Sequence, residues 1–98
     1  MCWTAPEVLN GRKYDASADT YSFGMVFWEL FTGKVPYNEL DQFEIHDAIS
    51  KGVRPSIPKT VPKAAASLMS KCWNKKPKKR PAMSLVHETL KKRIAELK

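Results

Sequence analysis

The sequence predicts an all-α fold, and three observations support this prediction. Residues 18–31 contain eight large apolar side chains that point to every side of a helical wheel, which is typical of a helix buried all round. Residues 82–97 carry apolar side chains at steps of 3, 4, 4 and 3, the pattern of an amphipathic helix. This stripe consists of Met83, Val86, Leu90, Ile94 and Leu97. No stretch shows the alternation expected of a strand.

The length and composition of the chain indicate a single domain with a packed core. It has 98 residues, of which 43% are hydrophobic. Two cysteines, Cys2 and Cys72, form neither a disulfide framework nor a metal-ligand set. Residues 18–31 are too short to span a bilayer and contain Asp19 and Glu29, so no membrane partner is expected. The first residues lack the pattern of a signal peptide, and the expected location is therefore cytoplasmic.

Charge is distributed unevenly along the chain. Residues 1–50 hold three Lys/Arg and eight Asp/Glu, whereas residues 51–98 hold fourteen and two, so the halves carry −5 and +12. The basic run at residues 75–80 could be a nuclear-import or nucleic-acid patch. No aromatic side chain interleaves with it, which disfavours binding of single strands. We therefore interpret the run as a solvated surface and expect no nucleic-acid partner.

The long helix at residues 18–31 is bounded by recognisable signals. Pro6 favours a short helical turn near the start of the chain. Ser17 or Asp19 is expected to cap the N-terminus of the long helix, because their oxygens can accept from free backbone N–H groups. Gly33 is expected in the left-handed conformation just after the helix, and Pro36 then prevents its continuation.

Two shorter helices are predicted between the long helix and the last one. Asp41 is expected to cap a helix over about residues 41–51, and Gly52 to end it. Three prolines make residues 53–62 an extended loop. A third helix is expected to begin at Pro62 and to run to about residue 73.

Five short motifs follow one another along the chain. Residues 3–7 read Trp-Thr-Ala-Pro-Glu, and residues 17–24 read Ser-Ala-Asp-Thr-Tyr-Ser-Phe-Gly. Residues 33–37 read Gly-Lys-Val-Pro-Tyr, and residues 52–58 read Gly-Val-Arg-Pro-Ser-Ile-Pro. Residues 72–81 contain Cys-Trp, a proline and a final Arg-Pro. This order resembles the C-terminal part of a protein kinase catalytic domain, from the A-P-E segment to the last helix.

The resemblance implies a fold and a parent activity. Residues 1–98 would form part of the kinase C-lobe, with helices F, G, H and I of the α+β kinase fold. Residues 18–26 resemble the tyrosine-kinase-like group, whose members mostly phosphorylate Ser and Thr. A full-length parent would therefore transfer phosphate from ATP to protein Ser/Thr, with Tyr as the alternative acceptor.

The residues that perform this chemistry are absent from the sequence. There is no glycine-rich loop, strand lysine, H-R-D or D-F-G motif. The sequence thus predicts no catalytic, cofactor-binding or metal-binding residue, and ATP and Mg would belong to the parent. We expect the chain to be inactive alone, with Met1 as an internal methionine of that parent. Its expected partners are the N-terminal part of the kinase domain, protein substrates and regulators.

The resemblance assigns a structural ion pair to Glu7 and Arg80. In the family, the glutamate of the A-P-E segment pairs with the arginine of the R-P motif and so ties the activation segment to the lower lobe. A guanidinium that grips a carboxylate through two hydrogen bonds is a specific tether. The alternative is two exposed charges, which would contribute at most about 1 kcal/mol.

The resemblance also assigns parent roles to four further residues. Asp19 would hold the backbone of the catalytic loop, and its alternative role here is a helix cap. Trp3, Thr4 and Ala5 would form a wall of the substrate pocket, the alternative being ordinary packing of Trp3.

A rival hypothesis is a stand-alone helical interaction module, or decoy, that binds kinase regulators or substrates. In the isolated chain, the faces of the long helix that normally meet the catalytic loop would be uncovered. A large uncovered apolar face promotes association, so self-association is expected.

Overall fold

The computed structural model describes residues 2–97, with side chains for residues 2–92. Its helices are α1 (Pro6–Leu9), α2 (Ala16–Thr32), α3 (Gln42–Lys51), α4 (Lys63–Cys72) and α5 (Met83–Leu97), with a 3₁₀ turn at Pro77–Lys79. Residues 2–97 include no strand, so the all-α prediction is confirmed. The interpretation of Met1 lies outside the described residues, as do the side chains of Ile94 and Leu97.

The N-terminus of α2 differs from its prediction. The helix begins at Ala16, which places Asp15 at the cap position in an extended conformation. The Asp15 carboxylate accepts a hydrogen bond of 2.9 Å from the backbone N–H of Ser17. The prediction of Ser17 or Asp19 as the cap is therefore wrong, because the helix starts before both of them. At the other end, Gly33 has φ of 68° and donates its N–H to the Glu29 carbonyl, as predicted.

Burial of α2 is one-sided. Tyr21 and Met25 are fully buried, on the side where α2 packs mainly against α4, with smaller contacts to α5 and the 3₁₀ turn. The opposite side carries two large apolar residues that remain exposed, Val26 and Leu30, at 44% and 76%. The prediction of burial all round is wrong for this chain, because its other described helices cover only one side of α2.

The remaining helices largely follow their predictions. Asp41 forms a capping box with Glu44 at the start of α3, and Gly52 ends that helix with φ of 92°. On α5, Val86 is fully buried and Leu90 is half-buried, whereas Met83 is 39% exposed. Met83 departs from the predicted stripe because it is the first residue of α5, one turn before the helix reaches the core.

The closest approach between α2 and α4 occurs at Gly24. A β-carbon on Gly24 would lie 2.9 Å from the β-carbon of Cys72 and 3.4 Å from the carbonyl oxygen of Met69. Because these atoms belong to, or adjoin, the backbone of α4, they cannot move without shifting the helix. Glycine at this position therefore sets the distance between the two central helices.

We expect Gly24→Ala to lower the free energy of unfolding by about 1–3 kcal/mol, the usual cost of overpacking. In an unobstructed helix interior, the same change would raise it by about 0.5–1 kcal/mol. Urea unfolding followed by circular dichroism measures the difference. Ser70→Ala, at an exposed position of α4, is the control and should change stability by less than about 0.5 kcal/mol. Stabilisation by Gly24→Ala would contradict the close approach.

Candidate functional site

The structure brings Glu7 and Arg80 together, although 73 positions separate them. Nη1 of Arg80 donates to one carboxylate oxygen of Glu7 at 2.7 Å, and Nη2 donates to the other at 2.8 Å. The side chain of Arg80 is fully buried and that of Glu7 is 12% exposed. The contact is therefore a buried, two-pronged ion pair rather than a pair of exposed charges.

Arg80 also binds three backbone carbonyls. Its Nε donates to the carbonyl of Asn74 at 2.8 Å, and Nη1 donates to that of Ser17 at 3.1 Å. A longer bond of 3.4 Å joins Nη2 to the carbonyl of Lys75. A guanidinium has five N–H donors, and Arg80 makes five hydrogen bonds. The side chain thus ties α1, the start of α2 and the segment after α4 to one point.

A second arginine, Arg54, contacts the same aromatic ring as Arg80. The guanidinium carbons of Arg54 and Arg80 each lie 5.0 Å from the ring centre of Tyr21, a distance typical of cation–π contacts. Arg54 also donates through Nε to the carbonyl of Trp73 at 2.9 Å. Tyr21 is fully buried and contacts both cations.

The sequence reasoning missed the role of Arg54. It placed this residue only within a motif of the loop after α3. One signal could have singled it out, namely a lone arginine in a proline-rich loop between two amphipathic helices. An arginine in that setting needs acceptors, and the backbone carbonyls of Trp73 and Ile49 accept from its Nε and Nη1, whereas its Nη2 is buried without a hydrogen-bond partner among the described residues.

The surroundings of the ion pair alter the ionisation of its members and neighbours. Burial alone would raise the pKa of Glu7, but hydrogen bonds from Arg80 and the backbone, together with the charge of Arg80, outweigh it and lower the pKa. Burial raises the pKa of Tyr21 well above its ordinary value. Burial also raises the pKa of the Cys72 thiol to about 11, so this cysteine stays protonated at neutral pH.

Asp19 occupies an exposed position on the first turns of α2. Its carboxylate accepts a hydrogen bond from the hydroxyl of Tyr14. The cap of the helix is Asp15, so a capping role for Asp19 is excluded. Its assigned role as an anchor of the catalytic loop stays a prediction, since it concerns residues outside this chain.

The three residues of the expected pocket wall lie just before α1. Trp3 is 39% exposed, and its indole N–H donates to the carboxylate of Glu29 on α2. The carbonyl of Trp3 accepts a hydrogen bond of 2.6 Å from the hydroxyl of Ser22. Thr4 is half-buried and Ala5 is fully buried. The wall is thus held against α2, and its role in a substrate pocket stays a prediction.

Among the described residues, no group of three or more His, Cys, Asp or Glu side chains could hold a metal ion. The sequence contains no glycine-rich phosphate loop. The contacts between Glu7 and Arg80 have a structural effect, because they hold the segment of residues 3–7 against the helices. No helix in the described part of the chain has both the length and the apolar character needed to cross a membrane.

Comparison with known proteins agrees with this arrangement. The sequence model of the family described as protein tyrosine and serine/threonine kinase matches residues 1–90. A protein named as a serine/threonine-protein kinase/receptor from Acanthamoeba polyphaga mimivirus is 47% identical over 91% of the chain and 6% of its own length. The tyrosine-protein kinase transforming protein Fps of an avian sarcoma virus is 42% identical over 90% of the chain and 17% of its own length. Mitogen-activated protein kinase kinase kinase 7 of Bos taurus is 41% identical over 83% of the chain and 14% of its own length.

The helical fold of the described residues is the one expected for the helical part of a kinase C-lobe. The chain belongs to the protein tyrosine and serine/threonine kinase family. It spans only a small part, 6% to 17%, of the length of the three relatives named above.

We expect Arg80→Leu to lower the free energy of unfolding by about 3–5 kcal/mol, because it leaves the carboxylate of Glu7 buried without its partner. Chemical denaturation at neutral pH measures the loss. Lys79→Ala, at the exposed neighbouring position, should change stability by less than about 0.5 kcal/mol.

A double-mutant cycle with Glu7→Gln separates the pair from the other roles of Arg80. The double variant should lose less stability than the sum of the two single variants, by about 0.5–3 kcal/mol. Additive losses would show that the two side chains do not interact.

We expect acid to remove the stabilisation from Glu7. Its pKa is lower in the folded than in the unfolded state, so its contribution is complete above the ordinary glutamate pKa of about 4.3 and is lost as the pH falls through the folded pKa. Denaturation of the wild type and of Glu7→Gln between about pH 7 and pH 2 tests this. The stability difference between them should shrink below about pH 4. Glu39→Gln, which changes an exposed side chain, serves as control, and a difference that is constant with pH would contradict the assignment.

Proposed function

We propose that this chain is the helical part of the C-lobe of a protein kinase that transfers phosphate from ATP to protein serine or threonine. Within that kinase, its role is to anchor the end of the activation segment and to carry the central helix α2. The observation that supports this role best is the buried Arg80, whose five hydrogen bonds fix Glu7 relative to α2 and to the segment after α4.

We also propose that the chain by itself transfers no phosphate. Phosphoryl transfer depends on positioning the nucleotide and on metal ions that neutralise the developing charge. The sequence holds neither a phosphate loop nor the catalytic and metal-binding motifs. The chain therefore contributes positioning, and the chemistry is supplied by other parts of a full-length kinase.

The preference for serine and threonine over tyrosine rests on residues 18–26, which resemble the tyrosine-kinase-like group. The relatives named above include proteins named for either activity. Tyrosine is thus the alternative acceptor.

A chimera tests the proposal. Residues 3–90 would replace the matching segment of the bovine mitogen-activated protein kinase kinase kinase 7, and separately that of Fps. Phosphorylation of a general protein substrate would be measured with ATP and Mg, together with the amino acid that is phosphorylated. We expect the bovine chimera to phosphorylate serine and threonine, and Arg80→Leu to reduce that rate at least about tenfold through loss of the anchor.

The matched control is the same chimera with Lys79→Ala, which should keep its rate. The isolated chain, assayed alongside, should be inactive. Chimeras that fold and bind nucleotide but transfer no phosphate would contradict the kinase role. Activity that survives Arg80→Leu unchanged would contradict the anchoring role.

The second candidate is a stand-alone interaction module, favoured by the uncovered side of α2. A groove of about 360 Å³ lies there, lined by Val26, Leu30 and Val35 among others. An immunoblot of the source cells with an antibody against residues 82–97 separates the two candidates. A band several times larger than the 11.2 kDa of this chain supports the kinase, whereas a band at that mass supports the module.

A further inference from the structure

The most exposed large apolar side chain in the described part of the chain is Phe43, at 87%. It lies in the first turn of α3, where its ring is exposed to solvent and contributes little to packing. Four carboxylates near it in sequence are exposed: Glu39, Asp41, Glu44 and Asp47. Residues 38–51 contain one Lys against these four acids, so the ring is presented on an acidic surface. We call this feature the α3 knob.

A groove of complementary character lies between α4 and α5. It encloses about 350 Å³, and its apolar lining includes Ala64, Leu68, Pro81 and Leu85. Leu85 is 56% exposed, so its side chain is accessible to a partner. We call this feature the α4–α5 groove.

The surroundings of the α4–α5 groove are basic. Lys71 lines it, and the exposed lysines at residues 75–79 belong to the segment that joins its two helices. Lys92 is exposed and lies three positions after Thr89 of the groove, on the same side of α5. Glu88 is the one carboxylate in residues 51–92, against twelve Lys and Arg. This surface therefore fits a partner that presents an apolar side chain together with negative charge.

We propose that the α3 knob of one copy of this chain binds in the α4–α5 groove of a second copy. The ring of Phe43 would pack against Leu68 and Leu85 and would thereby be removed from water. This burial is the main favourable contribution to the free energy of binding. The acidic residues of α3 would face Lys71 and the neighbouring lysines, which adds orientation and attraction that depends on salt. A second copy is the occupant that the chain itself supplies, since it carries both complementary surfaces.

This contact is independent of the proposed kinase role, and it differs from association through the uncovered side of α2. It joins two different surfaces, so in a pair one copy retains a free groove and the other a free knob. Contacts of this kind can build chains of copies unless the geometry closes them into a ring. That property allows a test by mixing variants.

Sedimentation of the full chain over a range of concentrations tests the proposal. All proteins would carry Leu30→Glu, which places a charge on the uncovered side of α2 and suppresses association there.

The Leu30→Glu chain should associate at low salt. Added Phe43→Ala should weaken association at least about tenfold, as expected for a buried aromatic anchor. Leu85→Glu should do the same. Both positions are exposed in the single chain, so circular dichroism should show unchanged helix content.

Mixing gives the decisive result. The Phe43→Ala chain keeps an intact groove and the Leu85→Glu chain keeps an intact knob, so equal amounts should form a one-to-one complex. Raising the ionic strength from about 0.02 M to about 0.5 M should weaken that complex, because the Debye length shortens. Val53→Ala, at an exposed apolar position outside both surfaces, is the control and should associate like the Leu30→Glu chain.

Several results would overturn the proposal. One is a Leu30→Glu chain that stays monomeric up to about 0.3 mM at low salt, which corresponds to a dissociation constant too weak to measure. Others are variants of Phe43 and Leu85 that associate as strongly as their background, a mixture that forms no complex, or association that strengthens with salt. None of these outcomes depends on phosphoryl transfer.

Discussion

The buried guanidinium of Arg80 is the interaction on which the rest of this structure depends. A cation in the interior is costly unless every donor finds an acceptor, and this one finds a carboxylate and three carbonyls. Because those acceptors belong to different segments, satisfying Arg80 requires Glu7, Ser17 and the segment after α4 to meet at one place. The ring of Tyr21 beneath the guanidinium adds a cation–π contact. The need to satisfy the buried guanidinium of Arg80 thereby specifies how the segments are arranged.

Packing of the two central helices supplies the other constraint. At Gly24 the absence of a side chain allows α2 to approach α4 so closely that a β-carbon would meet Cys72 at 2.9 Å. This approach buries Met25 and Tyr21 on one side of α2. The same helix carries Leu30 on its opposite side, 76% exposed. A helix with two apolar sides can join two parts of a domain, and the proposed function uses α2 in this way.

Charge and exposure are distributed so that each half of the chain presents a different surface. The first half is acidic and the second half is basic, and each half presents an apolar feature of its own, Phe43 and Leu85. An anchoring function needs a rigid centre, which the ion pair of Glu7 provides. Recognition needs exposed side chains on that rigid frame, because little conformational entropy is then lost when they bind a partner. The kinase role and the proposed contact between copies therefore draw on different parts of the molecule.

The sequence by itself determined the helices and most of their ends, because caps and periodicity are local properties. Asp41 and Gly33 act where the sequence predicts them. Asp15 was missed because several oxygen-bearing side chains stand close together there, and a shift of the helix start decides which one becomes the cap. The motifs also suggested the pairing of Glu7 with Arg80. Only the tertiary structure decided which carbonyls Arg80 needs and which side of α2 is covered, because both depend on segments that are distant along the chain.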